Sequence, residues 1–201
     1  MLLTNGRPAP TRGMVTSPHT LASEAGLGIL KAGGNAIEAA VAMGAVLAVT
    51  YPHFCGLGGD AVWLVADAEG RRDCFLGIGQ AAENPPRYDR VIPVRGPASA
   101  LTSAALVDSW DHALRYSRAH WRGTLAFADL IADAIALAEE GFPTTPSQSF
   151  WLDFRRQEVA DWPGFAATFD AAPGSNFRQP TLARTLRRLA ADGPRAFYEG
   201  T

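Results

Sequence analysis

The chain has 201 residues, of which 47% are hydrophobic and 19% charged, and its formal net charge is −2. That size and apolar content suit a single domain, residues 1–201, with a real core. The near-neutral balance excludes a broad basic face, so neither nucleic acid nor an anionic membrane is expected as a partner.

Residues 1–13 hold no apolar stretch of signal-peptide length, which predicts a cytoplasmic protein. Residues 14–16 read as a short strand, broken by Ser17 and Pro18. Residues 21–32 follow helical periodicity, with Leu21, Ala25, Gly28 and Ile29 near one face. Gly33 and Gly34 stop that helix, and Asn35 caps the next. Residues 36–49 are almost all apolar, but Glu38 interrupts them and the stretch is short for a bilayer, so it reads as a buried helix ended by Pro52. After the glycine turn at 56–59, residues 61–66 (AVWLVA) form a continuous apolar run, typical of a strand covered on both faces. Residues 67–70 supply a turn and residues 74–78 the returning strand. The result is a β-hairpin covered by helices.

Asn84, Pro85, Pro86, Pro93, Gly96 and Pro97 mark an extended loop. Helical patterns follow over residues 102–117, 125–140, 147–159 and 180–191, with Thr124 as a candidate N-cap and Gly141 as a stop. Residues 163–174 read as irregular. Strands come early and helices late, so the class is α+β rather than a regular βαβ array.

Several features invite a chemical reading and have a plainer one. The turn Gly56-Leu57-Gly58-Gly59 suggests a phosphate loop, but a helix precedes it and a strand follows, the reverse of what phosphate binding needs. His53 is a candidate base or a structural histidine, and the structural role is favoured. Asp60 is a candidate to orient a substrate or to bind backbone amides in its own turn, and the turn role is favoured. Cys55 is read as an inert thiol rather than a nucleophile. Glu139 and Glu140 are adjacent on a helix, do not face each other, and read as solvated charges. Arg184, Arg187, Arg188 and Arg195 form a basic surface too small for nucleic acid. Trp151 and Trp162 read as core or interface anchors. Two cysteines, Cys55 and Cys74, and four scattered histidines give no zinc spacing, so no metal and no cofactor is expected.

Four segments, taken together and in order, resemble the large subunit of the γ-glutamyltranspeptidase family. They are PHTLASEAGLGILKAGGNAIEAAVA (18–42), YPHFCGLGGDAVWLV (51–65), ADLIADAIALAEEGFP (128–143) and FRQPTLARTLRRLAADGPRAFYEG (177–200). The resemblance implies part of an αββα four-layer sandwich of the N-terminal-nucleophile (Ntn) hydrolase type. It also implies a proenzyme that cleaves itself into two subunits. The new N-terminal threonine of the small subunit then attacks an amide, with its own α-amine as base. Met1 and Thr201 cannot present such a group, so no catalytic residue is assigned in this chain. The expected partner is the small catalytic subunit or the remaining proenzyme sequence, and the expected substrate a small-molecule amide.

In the family, an Asp-x-Arg-Glu-x-Ala pattern carries an arginine that grips the α-carboxylate of the γ-glutamyl group. The matching stretch here is Gly77-Ile78-Gly79-Gln80-Ala81-Ala82, which places Gly79 at the arginine and Gln80 at the glutamate. A lost charged hydrogen bond of this kind is worth about 1.5–3 kcal/mol. Gly79, Gln80 and Arg87 are therefore the candidate substrate-binding positions; Arg87 or Arg90 is a candidate to reach in from the following loop or a solvated loop arginine, and the solvated role is favoured. The pattern looks closer to the family's amidohydrolase-like branch, which includes oxamate amidohydrolase and related acylases. A true γ-glutamyltransferase or glutathione hydrolase, and a catalytically silent fragment or assembly subunit, are the alternatives. An exposed sheet edge and apolar surface are expected of the chain alone.

Overall fold

In the computed structural model, side chains are described for residues 13–84, 87 and 91–200, and backbone pairing for Leu3–Thr4 (β1) with Arg7–Pro8 (β2). Arg90 and Thr201, named above, lie outside the described residues.

Residues 14–16 do not form the expected strand. A strand needs a ladder partner, and none among the described residues is paired with them. Helix α1 (Thr20–Lys31) begins at His19, whose Nδ1 accepts a hydrogen bond from the Leu21 N–H at 3.2 Å. At Gly26 an added Cβ would lie 2.5 Å from the Met43 side chain, so the glycine lets the second helix approach closely.

That second helix, α2 (Ala36–Thr50), is the centre of the core. Val41, Val46 and Val49 are fully buried in it, each worth about 1.5–3 kcal/mol of apolar burial. Its start is a capping box: Asn35 Oδ1 accepts from the Ile37 and Glu38 amides, and Glu38 Oε2 accepts from the Asn35 amide at 2.9 Å. Glu38 is 2% exposed. Its second oxygen accepts from the Leu125 N–H at 2.9 Å. The charge that interrupts the apolar run is thus a fully engaged cap.

Strands β3 (Ala61–Ala66) and β4 (Arg72–Gly77) pair antiparallel, with Trp63 opposite Phe75. Helix α3 (Leu106–His120) covers one face, and the Trp63 indole donates to Ser109 Oγ at 3.2 Å. The other face is open, contrary to the expectation of cover on both: Val62 is 61%, Leu64 82% and Leu76 62% exposed. Nothing among the described residues packs there.

The helix expected over 125–140 is two: α4 (Phe127–Leu130) and α5 (Ala132–Glu140), divided at Ile131. Thr124 caps neither. Leu125 is held by Glu38, and the first turn opens only at Ala126. Gly141 stops α5 at φ +89°. Two short strands, β5 (Phe142–Pro143) and β6 (Asn176–Phe177), then pair and bracket helices α6 (Pro146–Val159) and α7 (Phe165–Phe169). The α7 turn lies where an irregular segment was expected.

Helix α8 (Pro180–Asp192) buries Ala183, Leu186 and Leu189 and packs on α5, followed by the short α9 (Ala196–Glu199). The Gln179 amide before α8 donates to the Val49 carbonyl at 2.8 Å, tying this late helix to the end of α2. The class is α+β, helix-rich in its second half.

Candidate functional site

The hairpin ends against the glycine turn, and two of the candidate positions, Gly79 and Gln80, lie at that junction. The Gly59 carbonyl accepts from the Ala105 and Leu106 amides at 3.1 and 2.9 Å, fixing the entry to α3 beside the turn. Asp60 does not hold its own turn as expected. Its Oδ1 accepts from the Gly79 N–H at 2.9 Å, across the hairpin. Beyond β4 the chain continues in extended pairing. Ser103 N–H donates to the Gln80 carbonyl at 2.9 Å, Gln80 N–H donates to Ser103 Oγ at 3.1 Å, and Ala81 bridges Thr102. This pairing also explains why α3 starts at 106 and not at 102.

Gly79 is buried, and a Cβ added there would lie 1.7 Å from the Ser103 carbonyl oxygen. No side chain fits at this position without moving the backbone of residues 102–104. Gln80 is exposed, with its Nε2 donating to the Ile78 carbonyl at 3.3 Å. Arg87 is exposed, and no described contact joins it to Asp60, Gly79 or Gln80. The structure therefore brings Asp60, Gly79, Gln80 and Ser103 together and leaves Arg87 apart. Ser103 carried no local signal in the sequence; only the long-range pairing reveals it.

His53 belongs to a different place. Its Nε2 lies 3.1 Å from Ser147 Oγ, and its ring packs 4.1 Å from Tyr51 and 5.1 Å from Phe54. Burial, then the nearby His19, lowers its pKa from the ordinary 6.5, so it is neutral at physiological pH. Burial also pushes the Cys55 thiol up, which disfavours the thiolate a nucleophile needs. Glu139 is not merely solvated: it pairs with Arg187 and joins α5 to α8. The other arginines of the basic surface are also engaged, Arg195 with Asp108 and Glu199, and Arg188 with Asp192. Trp151 is half-buried and lines a cavity beside His53.

No group of three or more His, Cys, Asp or Glu is gathered as a metal site among the described residues. Nor is any described helix long and apolar enough to cross a membrane.

The sequence model for gamma-glutamyltranspeptidase matches residues 22–201. The chain belongs to the gamma-glutamyltranspeptidase family. Among curated relatives, the oxamate amidohydrolase proenzyme of Klebsiella pneumoniae subsp. pneumoniae is 46% identical over 199 residues, covering 94% of this chain and 38% of the relative. The glutathione hydrolase-like YwrD proenzyme of Bacillus subtilis is 40% identical, with 94% and 37% covered. The crystal structure of Helicobacter pylori gamma-glutamyltranspeptidase superposes with a TM-score of 0.87 at 28% identity, covering 97% of this chain and 58% of that one. The chain thus spans well under half the length of these two curated relatives. Residues 22–201 of this gamma-glutamyltranspeptidase-family chain include the whole Asp60–Gly79–Ser103 junction.

Proposed function

We propose that the chain is the large-subunit portion of an Ntn amidohydrolase precursor. It would act on a small amide or acyl amide without an amino-acid head group to grip. The observation that carries this reading is the close approach of Ser103 to Gly79. Where the family resemblance puts a carboxylate-gripping arginine, the chain has a position closed to any side chain. The 46% identity to a protein named as an oxamate amidohydrolase proenzyme supports the same branch.

The nucleophile comes from polypeptide outside this chain. The threonine hydroxyl attacks the amide carbonyl carbon, and its α-amine takes the hydroxyl proton. The C–N bond then breaks, the proton goes to the departing nitrogen, and water releases the acyl group as an acid. The share assigned to this chain is to wall the substrate site at the hairpin end. Gln80 and Ser103 contribute polar groups there, and Asp60 fixes the Gly79 backbone.

The test is to assay the full-length gene product against oxamate, other small amides and γ-glutamyl-p-nitroanilide. Hydrolysis of small amides with little glutamyl transfer is expected. Robust glutamyl transfer would overturn the substrate claim. A second reading, a true glutathione hydrolase with Arg87 taking the arginine's role, is supported by the 40% identity to a glutathione hydrolase-like protein. It requires Arg87→Ala to raise KM for glutamyl substrates.

A further inference from the structure

Helix α6 is an oddity in this fold. It runs for 14 residues, yet the only residue it buries is Gln148, a polar one. Its apolar side chains instead form an exposed ridge. Phe150 is 60% and Phe154 64% exposed, and their rings stack 5.9 Å apart at an interplanar angle of 9°. Trp151 meets Phe154 edge-on at 5.5 Å, and Phe54, 60% exposed, closes on Trp151 at 5.2 Å from the end of α2. Behind the ridge lies an open cavity of about 530 Å³, whose far wall is formed by Trp162, Phe165 and Phe169.

Exposed aromatic surface this continuous is unusual on a monomer and marks a contact face. Its charges are already matched. Arg155 lies over the Trp151 and Phe154 rings and pairs with Glu158 at 2.7 Å, Arg95 reaches the same carboxylate at 3.7 Å, and Arg156 pairs with Asp153 at 3.3 Å. The face therefore suits an uncharged, apolar partner. Gln148 lines the cavity, and its buried amide oxygen and nitrogen have no hydrogen-bond partner, a donor and acceptor pair that a peptide backbone entering between the rings would satisfy. Aromatic surface continues outside the cavity onto Phe150 and Phe154, beyond what one small molecule would cover.

We propose that this ridge and cavity seat an apolar polypeptide segment from the downstream part of the same precursor. The relatives supply the length. This chain covers 38% of the oxamate amidohydrolase proenzyme and 58% of the Helicobacter pylori chain, so the family's fold continues well beyond the segment matched here. The segment inserts aliphatic or aromatic side chains between Phe54 and the α6 rings, and α6 becomes a buried strut between the two parts. The proposal rests on the chain being one part of a longer precursor, but not on the amide-hydrolase reading.

The experiment uses the full-length protein with p-benzoylphenylalanine at position 154. Irradiation is expected to link this position, independently of protein concentration, to a segment beyond residue 201 of the same precursor. A link between two copies of α6 that strengthens with concentration would overturn the proposal, and so would the absence of any link. Hydroxyl-radical footprinting of the unmodified full-length protein covers the case of a misfolded variant. Phe150, Trp151 and Phe154 should be oxidised several-fold more slowly than exposed rings in the same protein. Oxidation at the exposed rate, or shielding that appears only when a free apolar amide is added, would overturn it. Both readouts are scored whether or not the protein turns over any substrate.

Discussion

The backbone carbonyl of Ser103 stands where the side chain of residue 79 would begin. A Cβ at Gly79 would lie 1.7 Å from that oxygen, far inside any tolerable contact. The glycine is thus part of a backbone-to-backbone contact and not merely an absent arginine.

Replacing Gly79 by arginine in the full-length protein should therefore fail to create glutamyl recognition. The segment 102–104 must move, at a cost of about 1–3 kcal/mol or more for overpacking against backbone. The expected result is a lower Tm and no fall in KM for γ-glutamyl-p-nitroanilide. A fall in KM with unchanged stability would show that the loop yields freely.

Glu38 is a cap between distant segments, since its two oxygens accept from the amides of Asn35 and Leu125. Glu38→Ala leaves two half-buried backbone donors without their acceptor and should destabilise the protein by about 2–6 kcal/mol, at about 1–3 kcal/mol for each unsatisfied group. Glu38→Gln keeps one acceptor and should lose about half as much. Urea denaturation midpoints of the two variants decide this, and equal midpoints would contradict the double role.

Acid should weaken the region around α1 and the end of α2. Burial is the leading cause that holds His19 and His53 below the ordinary imidazole value of 6.5; Glu24 opposes it at His19, and His19 reinforces it at His53. The unfolded chain then binds more protons than the folded one between the folded pKa values and 6.5. Stability is full above that window and falls as pH drops through it. Denaturation midpoints from about pH 7.5 down to 5 should decline, and the decline should shrink in a His19→Gln, His53→Gln double variant. An unchanged slope in that variant would assign the effect elsewhere.

The open face of the hairpin, with Val62, Leu64 and Leu76 all more than half exposed, should make the 201-residue chain self-associate when expressed alone. Leu64→Lys should reduce that association by placing a charge in the middle of the strand. Sedimentation velocity reads both, and a clean wild-type monomer would contradict the first claim.

Local chemistry was legible wherever it closed within a few residues. Asn35 followed by Glu38, the Gly33-Gly34 stop and the turn between β3 and β4 are short-range devices, and the elements beside them formed as read. The failures are long-range. Thr124 looked like a cap, but Glu38, far back in the chain, holds the following amide. The AVWLVA run looked covered on both faces, yet among the described residues α3 covers one face and the other is open. Asp60 looked like a turn residue and instead binds Gly79 across the hairpin. At the candidate site the substitution at Gly79 was readable from one motif, whereas Ser103, which gives that substitution its structural meaning, is invisible until the strand extension is seen. The α6 ridge was hinted at by Trp151 as an interface anchor, but Phe150 and Phe154 complete it only in three dimensions.

The bond from Gln179 to the Val49 carbonyl spans 130 positions in sequence. It joins the end of α2 to the start of α8. On the ribosome, α1 and α2 emerge early and can pair at once, but the Val49 carbonyl and the core face met by Leu186 and Leu189 stay open until residue 189 has cleared the exit tunnel. At about 5–20 residues per second, the nascent chain carries an unfinished core for many seconds. That interval is when a chaperone has surface to hold, so slowing translation before residue 179 should prolong its hold on the nascent chain.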